Sequence, residues 1–143
     1  MKKIAAAFAV ASSVMMVTGC EDFAVDIVDR VVEVDEQQYH WFSFETGSAS
    51  RFEIEYQHYS GTPMIVYTMD EADFYRFKNG QRFNYYTKLS SSVSSGTFNT
   101  GEVHFNGSGT RYVVAKAKDV SDGYWTTASG KLRITERPFA DMS

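Results

Sequence analysis

Arg51-Phe52-Glu53-Ile54-Glu55-Tyr56-Gln57 (residues 51–57) alternates polar and apolar side chains without a break. Successive side chains of a strand point to opposite faces. This spacing therefore predicts a half-buried β-strand, with Phe52, Ile54 and Tyr56 inward and Arg51, Glu53, Glu55 and Gln57 toward water. A sheet with one dry face needs a second layer to cover it, so the rest of the chain must supply more strands.

Working outward, Asp26 to Val34 reads as an opening strand whose tail, Val32-Glu33-Val34-Asp35, alternates in the same way. Glu36-Gln37-Gln38 is a polar turn. From Tyr39 to Glu45, His40, Phe42 and Phe44 share one face and Tyr39, Trp41 and Ser43 the other. Aromatic residues on both faces predict a central strand. Thr46 to Ser50 is a loop, and His58 to Thr62 a turn carrying Gly61. Met64 to Met69 is a buried strand bounded by turn residues.

Asp70 to Lys78 is the one place where a helix competes. Asp70 is placed to cap it, Glu71 and Asp73 suit its positive end, and Asn79-Gly80 supplies the stop. Such a short helix needs packing to persist, which Phe74 and Phe77 would provide. Arg82 to Leu89 again alternates and predicts a strand. Ser90 to Gly96, rich in serine, reads as a mobile loop or exposed edge without a hydrophobic face. Thr97 to Phe105 is a weak strand interrupted at Gly101, Asn106 to Gly109 a turn, and Thr110 to Ala117 a strand. A last pair, Tyr124 to Ala128 and Lys131 to Arg137, is expected around Ser129-Gly130, before Pro138 closes the domain.

Short strands at regular spacing predict an all-β fold: a single antiparallel β-sandwich, jelly-roll-like, of about eight strands with at most one short helix near residues 70–78. Aromatic residues make up 15% of the chain, as a strand-rich fold favours.

The first 19 residues stand apart. Lys2 and Lys3 precede an apolar and small-residue run from Ile4 to Met16, followed by Val17-Thr18-Gly19 and the only cysteine, Cys20. The run is short for a permanent span and has the basic head of an export signal. Val17-Thr18-Gly19-Cys20 resembles the lipobox of bacterial lipoproteins. The resemblance implies cleavage before Cys20, acylation of that residue, and palmitate-type chains anchoring the protein to a lipid bilayer. It divides the chain into a signal peptide (1–19), a lipidated tether (20–25), a sandwich domain (26–138) and a tail (139–143). It places the domain in the bacterial cell envelope, at the inner or outer membrane, facing periplasm or surface.

With the leader go two of the 14 basic residues, leaving 12 against 18 acidic ones. That balance disfavours nucleic acid as a partner and any grip on anionic lipid through charge.

From Val31 to Lys116 the order of features resembles the jelly-roll sandwiches of the bacterial pre-peptidase C-terminal type. It has an aromatic second strand (Tyr39, Phe42, Phe44), an alternating third (Phe52, Ile54), a Met64 to Met69 strand, and a late Gly-x-x-Tyr-Val-Val run at Gly109 to Val114. The resemblance implies an accessory or binding domain without catalysis of its own. Where the family often carries Asn beyond the tyrosine strand, this chain has Lys116 and Lys118.

No catalytic set and no cofactor emerge. His40, His58 and His104 lack metal-ligand spacing, and no serine lies in a Gly-x-Ser-x-Gly context. Asp70, Glu71 and Asp73 lack the alternation and glycine of a calcium loop. The ligand-binding candidates are Asp119, Asp122, Tyr124 and Trp125. Adjacent strand residues point to opposite faces, so Tyr124 and Trp125 cannot both be core if the segment is extended. The outward ring is either covered by the other sheet or a neighbouring loop, or serves as an exposed anchor for an envelope protein or a glycan with Asp119 and Asp122 on its rim. The alternative is a hydrolase or an enzyme inhibitor acting on envelope polymers. A histidine within reach of a serine and a carboxylate in one cleft would favour it.

Overall fold

The computed structural model describes residues 24–35, 38–47, 50–118 and 127–138. The leader, Cys20, most of the tether, Asp119, Asp122, Tyr124, Trp125 and the tail lie outside the described residues.

The elements are β1 (Val25–Val34), β2 (Tyr39–Thr46), β3 (Ser50–Ser60), β4 (Met64–Asp70), α1 (Glu71–Lys78), a 3-10 turn (Thr87–Leu89), β5 (Ser91–Val93), β6 (Thr97–Asn99), β7 (Gly109–Ala117) and β8 (Ala128–Pro138). Eight described strands form two four-stranded sheets, ordered β1-β8-β3-β6 and β2-β7-β4-β5. Every strand pair is antiparallel. All connections except β4 to β5 pass from one sheet to the other, which is the winding of a jelly roll. The expected all-β sandwich with one short helix is therefore the fold observed.

Phe52, Ile54 and Tyr56 of β3 are buried between the sheets against Val28 and Val32 of β1, Phe42 and Phe44 of β2, Val113 and Ala115 of β7, and Leu132 and Ile134 of β8. The alternation of residues 51–57 thus sets the inner face as expected. β3 runs on to Ser60, however, so His58 belongs to the strand and only Gly61 and Thr62 turn.

Four further expectations are corrected. Among the described residues the stretch Tyr39 to Glu45 is an edge strand, not a central one, because β2 has β7 on one side only. Its second aromatic face is covered instead by α1: Trp41 meets Phe74 at 5.5 Å and Tyr39 meets Phe77 at 4.8 Å between ring centroids.

Ser129-Gly130 is not a turn, since β8 runs through it from Ala128 to Pro138. A Cβ on Gly130 would stand 2.2 Å from the Tyr56 hydroxyl oxygen and 2.5 Å from the Gln57 carbonyl oxygen, so glycine is there to let the neighbouring strand approach.

Arg82 to Leu89 is not a strand, because its amides bond singly, to one side chain and to scattered carbonyls, rather than in a ladder. The Asn84 amide donates to Asp73 Oδ1 (3.0 Å), and the Tyr86 amide to the Thr68 carbonyl (2.8 Å). Finally, the serine run does have an inward anchor. Val93 of the short edge strand β5 is buried, as is Leu89 just before it.

Helix α1 ends at Asn79-Gly80 as expected, with Gly80 at φ +73°. Asp70 sits at the N-cap position without making a side-chain cap. Its carboxylate accepts a 2.5 Å hydrogen bond from the Tyr86 hydroxyl and lies 3.3 Å from the guanidinium of buried Arg111.

Candidate functional site

The two sheets present unlike outer faces. On β1-β8-β3-β6 the outward residues are charged and paired across strands: Lys131 with Asp29 (3.2 Å), and Arg133 with Asp26 (3.9 Å) and Glu55 (3.8 Å). Arg51 and Arg137 both reach Glu102, each at 2.8 Å. Opposite charges on facing strands satisfy each other. A shallow cleft of about 120 Å³ lies among Glu55, Gln57, Lys131 and Arg133, and Val31 of β1 stays 54% exposed opposite Lys131.

On β2-β7-β4-β5 the outward rows are aromatic. Register places Tyr39, Lys116, Ile65 and Ser92 in one row across all four strands, and Trp41, Val114 and Tyr67 in the next. Phe74 of α1 seals part of this face by stacking on Tyr112 at 4.0 Å, with the rings 5° from parallel. Burial pushes the Tyr112 phenol far above its ordinary range, helped by its hydrogen bond with Tyr75.

The helix is too short to reach the β5 side. There the segment after it returns along the edge of β4, where Thr68 bonds to the Leu89 carbonyl through its hydroxyl (2.7 Å) and to Ser90 Oγ through its amide (3.0 Å). This course lays Phe83 edge-on against Tyr67 (5.3 Å) and Tyr85 beside it (4.8 Å). Tyr85 remains 43% exposed. Burial and the neighbouring Tyr85 together raise the Tyr67 phenol above its usual range.

The result is a groove of about 380 Å³ floored by Ile65, Tyr67 and Tyr85 and rimmed by Thr87, Ser91 and Ser92. Its volume falls in the ~300–1,000 Å³ typical of small-molecule sites. Lys118 stands at its end, its backbone amide tied to the Pro63 carbonyl at 2.9 Å. Among the described residues the Thr87, Ser91 and Ser92 hydroxyls have no hydrogen-bond partner, whereas Ser90 Oγ is spent on Thr68 and on the Tyr86 carbonyl. An aromatic floor, open hydroxyls and a cation are means of binding and orienting a ligand.

The histidines are placed differently. His58 is buried, with Nδ1 2.8 Å from the Tyr56 hydroxyl and Nε2 3.2 Å from the Gly61 carbonyl. A carbonyl only accepts, so Nε2 carries the proton and donates it. Both nitrogens are thereby committed to holding the end of β3. His40 is half-buried on β2 and His104 is exposed. Among the described residues no three His, Cys, Asp or Glu side chains gather as a metal site, and no helix is long and apolar enough to cross a membrane. Asp73, weighed earlier as a cation ligand, accepts from Arg76 (2.8 Å) and from the Asn84 amide.

No protein-family model matches the chain, and no curated protein does. Among solved structures it is similar to the pre-peptidase C-terminal domain of a collagenase from Bacillus anthracis, at 15% identity over 75% of this chain and 89% of that one, with a TM-score of 0.47. It is also similar to a periplasmic inhibitor of g-type lysozyme from Aeromonas hydrophila, at 7% identity over 86% of this chain and 92% of that one, with a TM-score of 0.45.

Proposed function

We propose that the chain is a lipid-anchored binding module of the bacterial cell envelope, without catalysis of its own, and that it engages its partner at the groove beside β5. The observation that carries the reading is Tyr85, a large aromatic left 43% exposed over Tyr67 on a sheet face that α1 otherwise seals. A half-exposed tyrosine offers apolar area together with a polar tip, which is what recognition surfaces use. Asp119, Asp122, Tyr124 and Trp125 follow Lys118 in sequence and are proposed as further contacts.

Anchoring rests on the leader and Cys20. Two or three acyl chains, at about 0.8 kcal/mol for each buried methylene, would hold a protein whose 18 acidic residues outnumber its 14 basic ones.

Three variants of the full-length chain test the reading. Membrane fractionation of Cys20→Ala should move the protein to the soluble fraction, and its persistence in the pellet would contradict lipid anchoring. A photoreactive phenylalanine analogue placed at Ser92 should cross-link an envelope component in living cells, while the same group at Glu53, on the ionic face, should not. Equal cross-linking from both positions would remove the groove as the site.

A further inference from the structure

We infer that the ligand of this groove is a saccharide unit bearing a carboxylate, seated with an apolar ring face on Tyr85 and its carboxylate at Lys118. The inference deepens the binding reading above and rests on it. A sugar ring has one or two faces of C–H groups and an equator of hydroxyls. The groove has the complement: the half-exposed Tyr85 ring beside partly buried Tyr67 for the faces, and the Thr87 and Ser92 hydroxyls, each both donor and acceptor, for the equator. A wholly apolar ligand would strand these hydroxyls and the Lys118 ammonium in a dry contact, which is costly. A small inorganic anion would leave the aromatic floor unused.

Charge supplies the carboxylate. The chain has 18 acidic residues against 14 basic ones, yet Lys118 is the only charged residue among the described lining of this groove. Elsewhere Arg51, Arg76, Arg111, Lys131, Arg133 and Arg137 form ion pairs, while Arg30, Lys78, Arg82 and Lys88 form none among the described residues but do not line the groove. Lys118 pairs with no acid among the described residues, and neither does Lys116, which stands beside Ile65 in the outermost row. Lys118 in the groove, with Lys116 beside it in the row of Ile65, neither paired to an acid among the described residues, gives a site with a direction, ring on tyrosine and acid on lysine.

The test is a printed array of oligosaccharides in which each uronic-acid or muramic-acid member is paired with its carboxyl methyl ester, probed with the full-length protein. Binding to acidic members is expected at about tenfold over their esters, the preference a charge-assisted hydrogen bond provides. Lys118→Gln should erase that preference while leaving weak binding to both forms. Tyr85→Ala should abolish binding to both, with folding verified by circular dichroism. Equal binding of acid and ester, unaltered by Lys118→Gln, would overturn the carboxylate while sparing the groove. Silence across the array would overturn the saccharide. If Ser92 still cross-linked an envelope protein, the binding reading would survive that loss; if it cross-linked nothing, both would fall.

Discussion

The outer faces of the two sheets solve one problem in opposite ways. The face of β1-β8-β3-β6 is closed by charge: Lys131, Arg133, Arg51 and Arg137 are each matched to an acid on a neighbouring strand or loop. The face of β2-β7-β4-β5 carries Tyr39, Trp41, Tyr67 and Tyr112, which charge cannot satisfy, and the chain spends a helix to cover them. An ionic face is finished once the strands pair. An aromatic face is finished only as far as its cover extends, and α1, eight residues long, touches Tyr67 only through Phe77 at 6.2 Å and makes no ring contact with Tyr85. The uncovered remainder is the groove.

The largest effect should follow from lifting the cover. Phe74 is 2% exposed and stacked on Tyr112, so Phe74→Ala should cost about 3–5 kcal/mol in urea unfolding, as for a buried large-to-small change. A loss below about 1 kcal/mol would mean that the helix rests on the sheet without being needed there.

Alkaline pH offers a second way to separate the faces. Burial raises the Tyr39, Tyr67 and Tyr112 phenols on the aromatic face, and Tyr56 in the core between the sheets. The folded state therefore holds these protons more tightly than the unfolded chain, whose phenols ionise near pH 10. The stabilisation is complete below that pH and is lost progressively as pH rises toward the folded values. Urea midpoints at pH 8 and pH 10.5 should fall apart in the natural protein and less so in Tyr112→Phe. Equal drops in both would show that Tyr112 does not carry the effect.

The smallest effect belongs to the ionic face. Arg133 is 44% exposed at the side chain and its partners lie 3.8 and 3.9 Å away, so Arg133→Ala should cost less than about 1 kcal/mol, and less still in high salt. Thermal unfolding at two salt concentrations measures it, and a loss rivalling that of Phe74→Ala would undo the contrast.

What the sequence revealed follows from the reach of each interaction. Alternation at Phe52, Ile54 and Tyr56 is a local property, and it set the inner face of β3 and the sandwich class. The Gly130 reading failed because glycine serves both turns and close approaches, and only the Tyr56 ring across the sheet decides which. The aromatic pairs of Tyr39 to Glu45 were legible as two-sided burial. That the second side is a helix rather than a sheet neighbour depends on α1, some thirty residues downstream. The groove was missed because Ile65, Tyr67, Tyr85, Ser92 and Lys118 meet only through register and through the return of the chain along β4. One local signal was available: Ile65 and Tyr67 point away from the core in a strand read as wholly buried. The residues proposed instead, Asp119, Asp122, Tyr124 and Trp125, lie outside the described residues.

The division of the aromatic face into a structural part under α1 and a recognition part beside β5 is tested most directly by the unfolding free energy of Tyr85→Ala. Tyr85 packs one side of its ring on Tyr67 and leaves 43% of the residue to solvent, so the loss should be about 1 kcal/mol or less, a fraction of full aromatic burial. A loss of about 3 kcal/mol or more would put Tyr85 in the same class as Phe74 and leave the groove without a residue kept for binding.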